Sequence, residues 1–329
     1  MIHKIRFGTE REVRLFGLPV CQYDRNPNHT YFSLFPKSFI SKTLKQISRE
    51  IGKDYDLVFL LRCNAIGENY LLNFLYKEVM MNKNAKKVCF VLHKNNAHCL
   101  PMLRLFTDVD IYITEVPLAK LNAVLEKKSY RYKNSEFITY HCPLSKITDY
   151  QSDNYCKHIQ TLVGASSFEH IKLNFPQGIE NCEKRLVGIN LDKFVFINPE
   201  VKSLEALPEA FWTKLVEEVR KLGYDVFINT KNGSSTLGFS VNCSLVEAAY
   251  IASKAKAVIT MRTGFSELIS TVAQTMHVIY TPSIFDGKDV MNLFSLMEYP
   301  FVDKGAIHEY NASEEKLDTL LNDVLDSLK

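Results

Sequence analysis

No Cys-x-x-Cys pair occurs in this 329-residue chain, although it has eight cysteines, at positions 21, 63, 89, 99, 142, 156, 182 and 243. That scatter excludes a zinc ribbon and offers no disulfide framework, so a reducing cytoplasm is the expected setting. No apolar run reaches membrane-spanning length. The first twenty residues carry Lys4, Arg6, Glu10, Arg11, Glu12 and Arg14 where a signal peptide needs a continuous apolar core. Without secretion, the Asn-x-Ser/Thr triplets at Asn28, Asn232, Asn242 and Asn311 are chance matches. Also missing are a P-loop, a G-x-G-x-x-G fingerprint and a G-x-S-x-G elbow, which argues against NTPases, dinucleotide oxidoreductases and α/β-hydrolases. The formal net charge of +3 is too small for a nucleic-acid binder.

What is present is an ordinary globular composition. Hydrophobic residues make up 46% and charged ones 23%, which excludes disorder as the default, and the length predicts two domains with cores of their own. Residues 1–62 hold eleven basic against six acidic side chains, interleaved with Phe16, Leu18, Tyr31, Phe32, Phe35 and Phe39. Such a surface suits either solvent or an anionic membrane.

Breakers at Pro19, Pro27, Asn28 and Pro36 predict that the first 40 residues are turn-rich and irregular, with a helix over 38–51 after them. Strand and helix then alternate: strand 56–62, helix 69–81, strand 87–92, helix 96–106, strand 110–114, helix 117–128, strand 136–140 and a helix near 154–162. After a polar stretch, the rhythm resumes with strand 194–198, helix 209–222, strand 225–229, helix 244–254, strand 257–260, helix 264–274 and strand 277–281. A last helix runs from about Ser313 to Lys329. Strands separated by helices of this length form parallel βαβ units. The expected fold class is therefore α/β, two doubly wound, Rossmann-like domains over 1–175 and 176–329 facing a central cleft, with the final helix packing back on the N-terminal domain.

Two strand-to-helix turns carry the chemistry. Arg262-Thr263-Gly264 follows the strand Ala257-Val258-Ile259-Thr260 and opens a helix, a place where backbone N–H groups, the helix dipole and an arginine converge on an anion. The alternative is an exposed arginine beside a threonine N-cap. About 200 residues upstream, Ile66-Gly67-Glu68 follows the strand 56–62; Glu68 at its carboxyl end reaches a bound hydroxyl as a base, or simply complements the helix dipole. Asn198, Glu200, Lys202 and Ser203, in the loop before Trp212, offer polar groups to the same cleft, or form an ordinary turn. Metal binding is not expected. Cys89, His93, His98 and Cys99 cross a strand, a loop and a helix start, unlike compact ligand pairs, and Asp108-Val109-Asp110 looks like a loop entering a strand.

Three segments resemble the bacterial GT-B glycosyltransferases related to the ADP-heptose:lipopolysaccharide heptosyltransferases, especially their capsule and lipooligosaccharide branch. These are Val58 to Glu68, Phe196 to Ser203 with Pro208 to Trp212, and Ser244 to Ala249 with Val258 to Leu268. The resemblance implies a cytoplasmic, metal-independent, inverting hexosyl- or heptosyltransferase, possible at the inner membrane as a peripheral protein, that moves a sugar from a nucleotide-diphosphate donor to a glycan or lipid-linked glycan acceptor. No cofactor is implied. Glu68 stands where the family places its catalytic aspartate; Arg262 stands where heptosyltransferases have an acid, and Glu267 where they have a histidine. Arg262 would stabilise the leaving diphosphate, and Asn198, Glu200, Lys202, Ser203, Thr263, Gly264 and Glu267 would bind the donor. The rival readings are a nucleotide-sugar-binding scaffold without turnover and a sugar-nucleotide epimerase.

Overall fold

The computed structural model describes residues 2–7, 10–15, 18–24, 31–34, 36–61, 66–105, 109–116, 121, 129–139, 155–167, 173–230, 240–283, 290–312 and 317–329. Its first four strands, β1 (Ile2–Phe7), β2 (Glu10–Leu15), β3 (Leu18–Asp24) and β4 (Tyr31–Leu34), form an antiparallel sheet in sequence order. The irregular N-terminus expected from the breakers is thus a meander. Pro19 is accommodated where the β2–β3 register shifts, and cross-strand pairing, which local patterning does not reveal, decides the structure.

After a helix over Pro36–Ile51 come β5 (Leu57–Leu61), β6 (Val88–His93), β7 (Asp110–Thr114), β8 (Ser129–Tyr132) and β9 (Ser135–Thr139). They form a sheet of order β7-β6-β5-β9-β8, parallel except for the β8–β9 hairpin. The hairpin went unseen in the sequence because its turn rests on Lys133, a non-glycine residue at φ 52°. The expected helix at 69–81 is two helices, Ile66–Asn73 and Tyr76–Asn82, and that at 96–106 is a 3₁₀ turn (Lys94–Cys99) leading into Leu100–Leu103. The expected helix at 117–128 lies outside the described residues, Leu121 apart.

The remaining strands are β10 (Phe194–Asn198), β11 (Asp225–Asn229), β12 (Ser240–Val241), β13 (Ala257–Met261), β14 (Met276–Tyr280) and β15 (Ile307–Asn311). They make an all-parallel sheet of order β12-β11-β10-β13-β14-β15. β15 was not anticipated, because His308 and Glu309 interrupt its apolar run. Both parallel sheets reverse their winding beside their first strand, between β5 and β9 and between β10 and β13. Those are the points where open α/β sheets bind ligands at the strands' carboxyl ends.

The strands β5, β10, β13 and β14 are buried at every position, as parallel strands covered on both faces must be. One face of the N-terminal parallel sheet packs Val58, Leu60 and Val91 on Leu44, Ile47 and Ile51 of the first helix. The opposite face, with Phe59 and Phe90, is continuous in a single buried cluster with Phe196, Val258, Val278 and Leu268 of the C-terminal half. The last helix, Leu317–Asp326, joins a different buried cluster. Its Leu320, Leu321 and Val324 join Trp212 and Leu215 of the Glu209–Lys221 helix on the outer face of the C-terminal sheet, so it does not pack back on the N-terminal half as expected.

Glu78 ties the second short helix to the segment after Tyr155–Val163. It accepts the Ser166 N–H at 2.8 Å, the Ser167 N–H at 2.6 Å and the Ser167 hydroxyl at 2.7 Å, as well as the Ser166 hydroxyl. Those bonds, led by the Ser166 hydroxyl, pull its carboxyl down to about 2. A depressed carboxyl stabilises the fold above its unfolded value and loses that contribution as pH falls through its folded one. The stability gap between wild type and Glu78→Gln is therefore expected to close as pH falls from 5 to 2. Urea midpoints at pH 6 and pH 3 check this; an equal gap at both would mean that the carboxylate does not hold the segment.

Candidate functional site

The two strand-to-helix turns meet. The Ile66–Asn73 helix packs along the helix Gly264–Ile269, and a Cβ placed on Gly67 would lie 1.5 Å from Glu267 Oε2. Only glycine lets a carboxylate approach that closely. The Tyr70 and Thr271 hydroxyls share a hydrogen bond of 3.1 Å, and the Phe74 ring stacks on Phe301 with centroids 3.9 Å apart. Glu68, one residue after Gly67, therefore lies in the first turn of its helix at the junction, beyond the carboxyl end of β5.

Arg262 is placed differently from the sequence expectation. It is only 6% exposed, and its fork is spent inside the protein. Nε donates to the Phe294 carbonyl at 2.8 Å, Nη1 to the Thr263 carbonyl at 2.9 Å, and Nη2 to Glu267 Oε1 at 2.5 Å and the Tyr299 hydroxyl at 3.2 Å. Tyr299 in turn donates to Glu267 Oε1 at 2.7 Å. Burial on its own would lower the guanidinium; the adjacent Glu267 carboxylate outweighs it and raises the group. Burial first, and Glu267 next, push the Tyr299 hydroxyl well up, so it stays a donor. The arginine thus anchors the turn from beneath and does not form an open cradle.

The threonine behaves as a cap. Thr263 Oγ1 accepts from the Phe265 and Ser266 N–H groups, and Ser266 Oγ answers the Thr263 N–H at 3.1 Å, a reciprocal box that occupies donors expected to be open to an anion. Thr263 and Gly264 are half-buried, and the helix ends at Ile269, five residues short of expectation. Glu267, expected among the donor-binding residues, is 3% exposed and committed to Arg262, Tyr299 and the approach to Gly67.

The loop after β10 reaches the same edge of the sheet. Asn198 closes the strand opposite Thr260 of β13, and Glu200, Lys202 and Ser203 beyond it are exposed. Leu204 bridges to Ser283, the Glu205 N–H donates to the Pro282 carbonyl at 2.9 Å, and the Thr281 hydroxyl donates to the Glu205 carbonyl at 2.5 Å, tethering the loop beside the end of β14. Asn198, Glu200, Lys202 and Ser203 thus flank one side of the C-terminal switch point, and Arg262 to Gly264 the other.

Sequence reasoning missed Tyr299 and the Phe294 carbonyl, which lie in a short irregular segment with no periodic signal, and Asn229, at the end of β11. Among the described residues no cluster of three or more His, Cys, Asp or Glu is arranged to hold a metal, and the described cysteines 89, 99, 156, 182 and 243 are free thiols. His93 Nδ1 accepts the Asn95 N–H at 3.2 Å as a cap. Asp110 starts β7 at the amino edge of its sheet, where it accepts the Tyr55 hydroxyl, opposite the ligand-binding edge. No described helix is long and apolar enough to cross a membrane.

No family model matches the chain, and no curated protein matches it by sequence. Solved structures do match by fold. The Escherichia coli ADP-heptose lps heptosyltransferase II superposes with a TM-score of 0.56 at 12% identity, covering 83% of this chain and 97% of its own. A glycosyl transferase family 9 protein from Veillonella parvula gives 0.52 at 9%, covering 84% and 89%, and E. coli heptosyltransferase WaaC, solved with ADP, gives 0.50 at 14%, covering 83% and 98%. The chain therefore has the GT-B fold of these glycosyltransferases, as the sequence resemblance implied.

Proposed function

We propose that this chain is a glycosyltransferase that moves a sugar from a nucleotide-diphosphate donor to a hydroxyl of a bacterial surface glycan precursor, lipooligosaccharide or capsule. The observation that carries the reading is the meeting of the Gly67 and Glu267 turns. It brings a carboxylate-bearing helix start from one switch point against the other, in a fold shared with enzymes that use ADP-heptose. In this reading Glu68 removes the acceptor's proton as the hydroxyl attacks the anomeric carbon, with inversion. The donor diphosphate lies over Asn198, Lys202, Ser203 and the Thr263-Gly264 turn, with Glu200 beside it. Arg262 and Glu267 hold that turn rigid from below, so their catalytic share is preorganisation. The reaction needs no metal and takes place on the cytoplasmic side, with the basic N-terminal segment meeting the anionic inner membrane. The domains of the reading are those of the sequence, 1–175 on the acceptor side and 176–329 on the donor side.

Incubation with ADP-, UDP- and GDP-sugars and a delipidated glycan acceptor tests this, with released nucleoside diphosphate as the readout. Release that depends on acceptor and persists in chelator supports the reading. Binding without release would identify a scaffold, and conversion of the sugar without acceptor an epimerase. In the active system Glu68→Gln is expected to lower turnover about 10²–10⁴-fold while nucleotide affinity stays nearly unchanged. Wild-type turnover in that variant would leave Glu68 a helix-start residue only.

A further inference from the structure

Beside the loop after β10, three groups form a short relay whose direction is fixed. The Cys243 backbone N–H donates to Asn229 Oδ1 at 3.2 Å, and Asn229 Nδ2 donates to Asn198 Oδ1 at 3.0 Å. A peptide N–H can only donate, so Asn229 must meet Cys243 with its oxygen and Asn198 with its nitrogen. Asn198 must then accept, and its own NH₂ is left facing elsewhere. Nothing among the described residues accepts from that nitrogen, and it is not sealed from solvent, although the residue as a whole is 7% exposed.

We infer that Asn229 is a positioning residue, which locks the Asn198 amide with its two N–H groups toward the β10–β13 crevice, where they take an oxygen of the donor's diphosphate. This rests on the function proposed above. The place is right, since Asn198 pairs with Thr260, two residues before Arg262. The chemistry also suits the place: with the Arg262 fork and the Thr263 cap occupied, an anion at this edge draws on other donors, the Asn198 amide beside Lys202 and Ser203. A neutral NH₂ fixed by a relay supplies two hydrogen bonds without an uncompensated buried charge.

Asn229→Asp is the informative variant. Its carboxylate accepts from Cys243 but cannot donate, so Asn198 turns its nitrogen to residue 229 and its oxygen to the ligand. Calorimetric titration with ADP, UDP and GDP is expected to show binding about ten- to a hundredfold weaker than wild type for the preferred nucleotide, with a smaller loss in Asn229→Ala and an unshifted thermal midpoint. Equal affinity in Asn229→Asp overturns the inference. If wild type binds none of the three, the proposed function fails, and the relay is judged separately from side-chain amide exchange by NMR. A protected Asn229 NH₂ and a freely exchanging Asn198 NH₂ support it; the reverse order overturns it.

Discussion

Arg262→Ala is expected to lower the free energy of unfolding by about 3–5 kcal/mol, because it strands the Glu267 carboxylate in the protein interior with Tyr299 as its remaining donor. The loss would exceed that of an exposed ion pair, which is typically worth under about 1 kcal/mol. Arg262→Lys should recover only part of it. An ammonium cannot reach the Phe294 and Thr263 carbonyls and Glu267 together from one planar fork. Joint replacement, Arg262→Met with Glu267→Gln, removes both charges and should restore most of the stability. Urea unfolding of the three variants at pH 7 checks the sequence of effects. A single Arg262→Ala variant within 1 kcal/mol of wild type would mean that the guanidinium is not anchored as described, and would return it to the exposed cradle read from sequence.

Gly67→Ala is expected to be the most damaging alanine substitution among the described glycines. The new Cβ and Glu267 Oε2 must separate from 1.5 Å to at least 3.0 Å, and neither the helix backbone nor a carboxylate held by Arg262 and Tyr299 yields easily. The Ile66–Asn73 helix therefore shifts, and Glu68 with it. A displacement of this order at a reacting group costs about 10² in turnover. Glu267→Asp draws the carboxylate back by one methylene and should rescue part of the rate in the double variant. Steady-state kinetics of the single and double variants, with thermal midpoints as the control for folding, decide the point; unchanged kinetics in Gly67→Ala would show that the two turns are not locked together.

Legibility in the sequence followed the range of the interactions concerned. The buried strands 194–198, 225–229 and 257–261 and the helices between them could be read from apolar periodicity, because burial on both faces writes itself into consecutive residues. The turn at Thr263 was placed correctly for the same reason. What the turn does was not legible. Whether Arg262 points at a ligand or at Glu267 depends on Phe294 and Tyr299, more than thirty residues away in a segment without a pattern. The N-terminal meander and the β8–β9 hairpin were missed because their pairing, not their composition, makes them strands. Nothing local to Gly67 announces its partner either; its closest neighbour is a side chain 200 positions later.

The stacking of Phe74 on Phe301 sets an order for the making of the protein. A ribosome adding about 5–20 residues per second delivers Phe301 on the order of 10–45 s after Phe74. For most of that interval the Ile66–Asn73 helix has neither Thr271 nor Phe301, and the inward face of the first parallel sheet lacks part of the counterpart that seals it. The early half of the nascent chain therefore waits with an open apolar face until its last third has emerged.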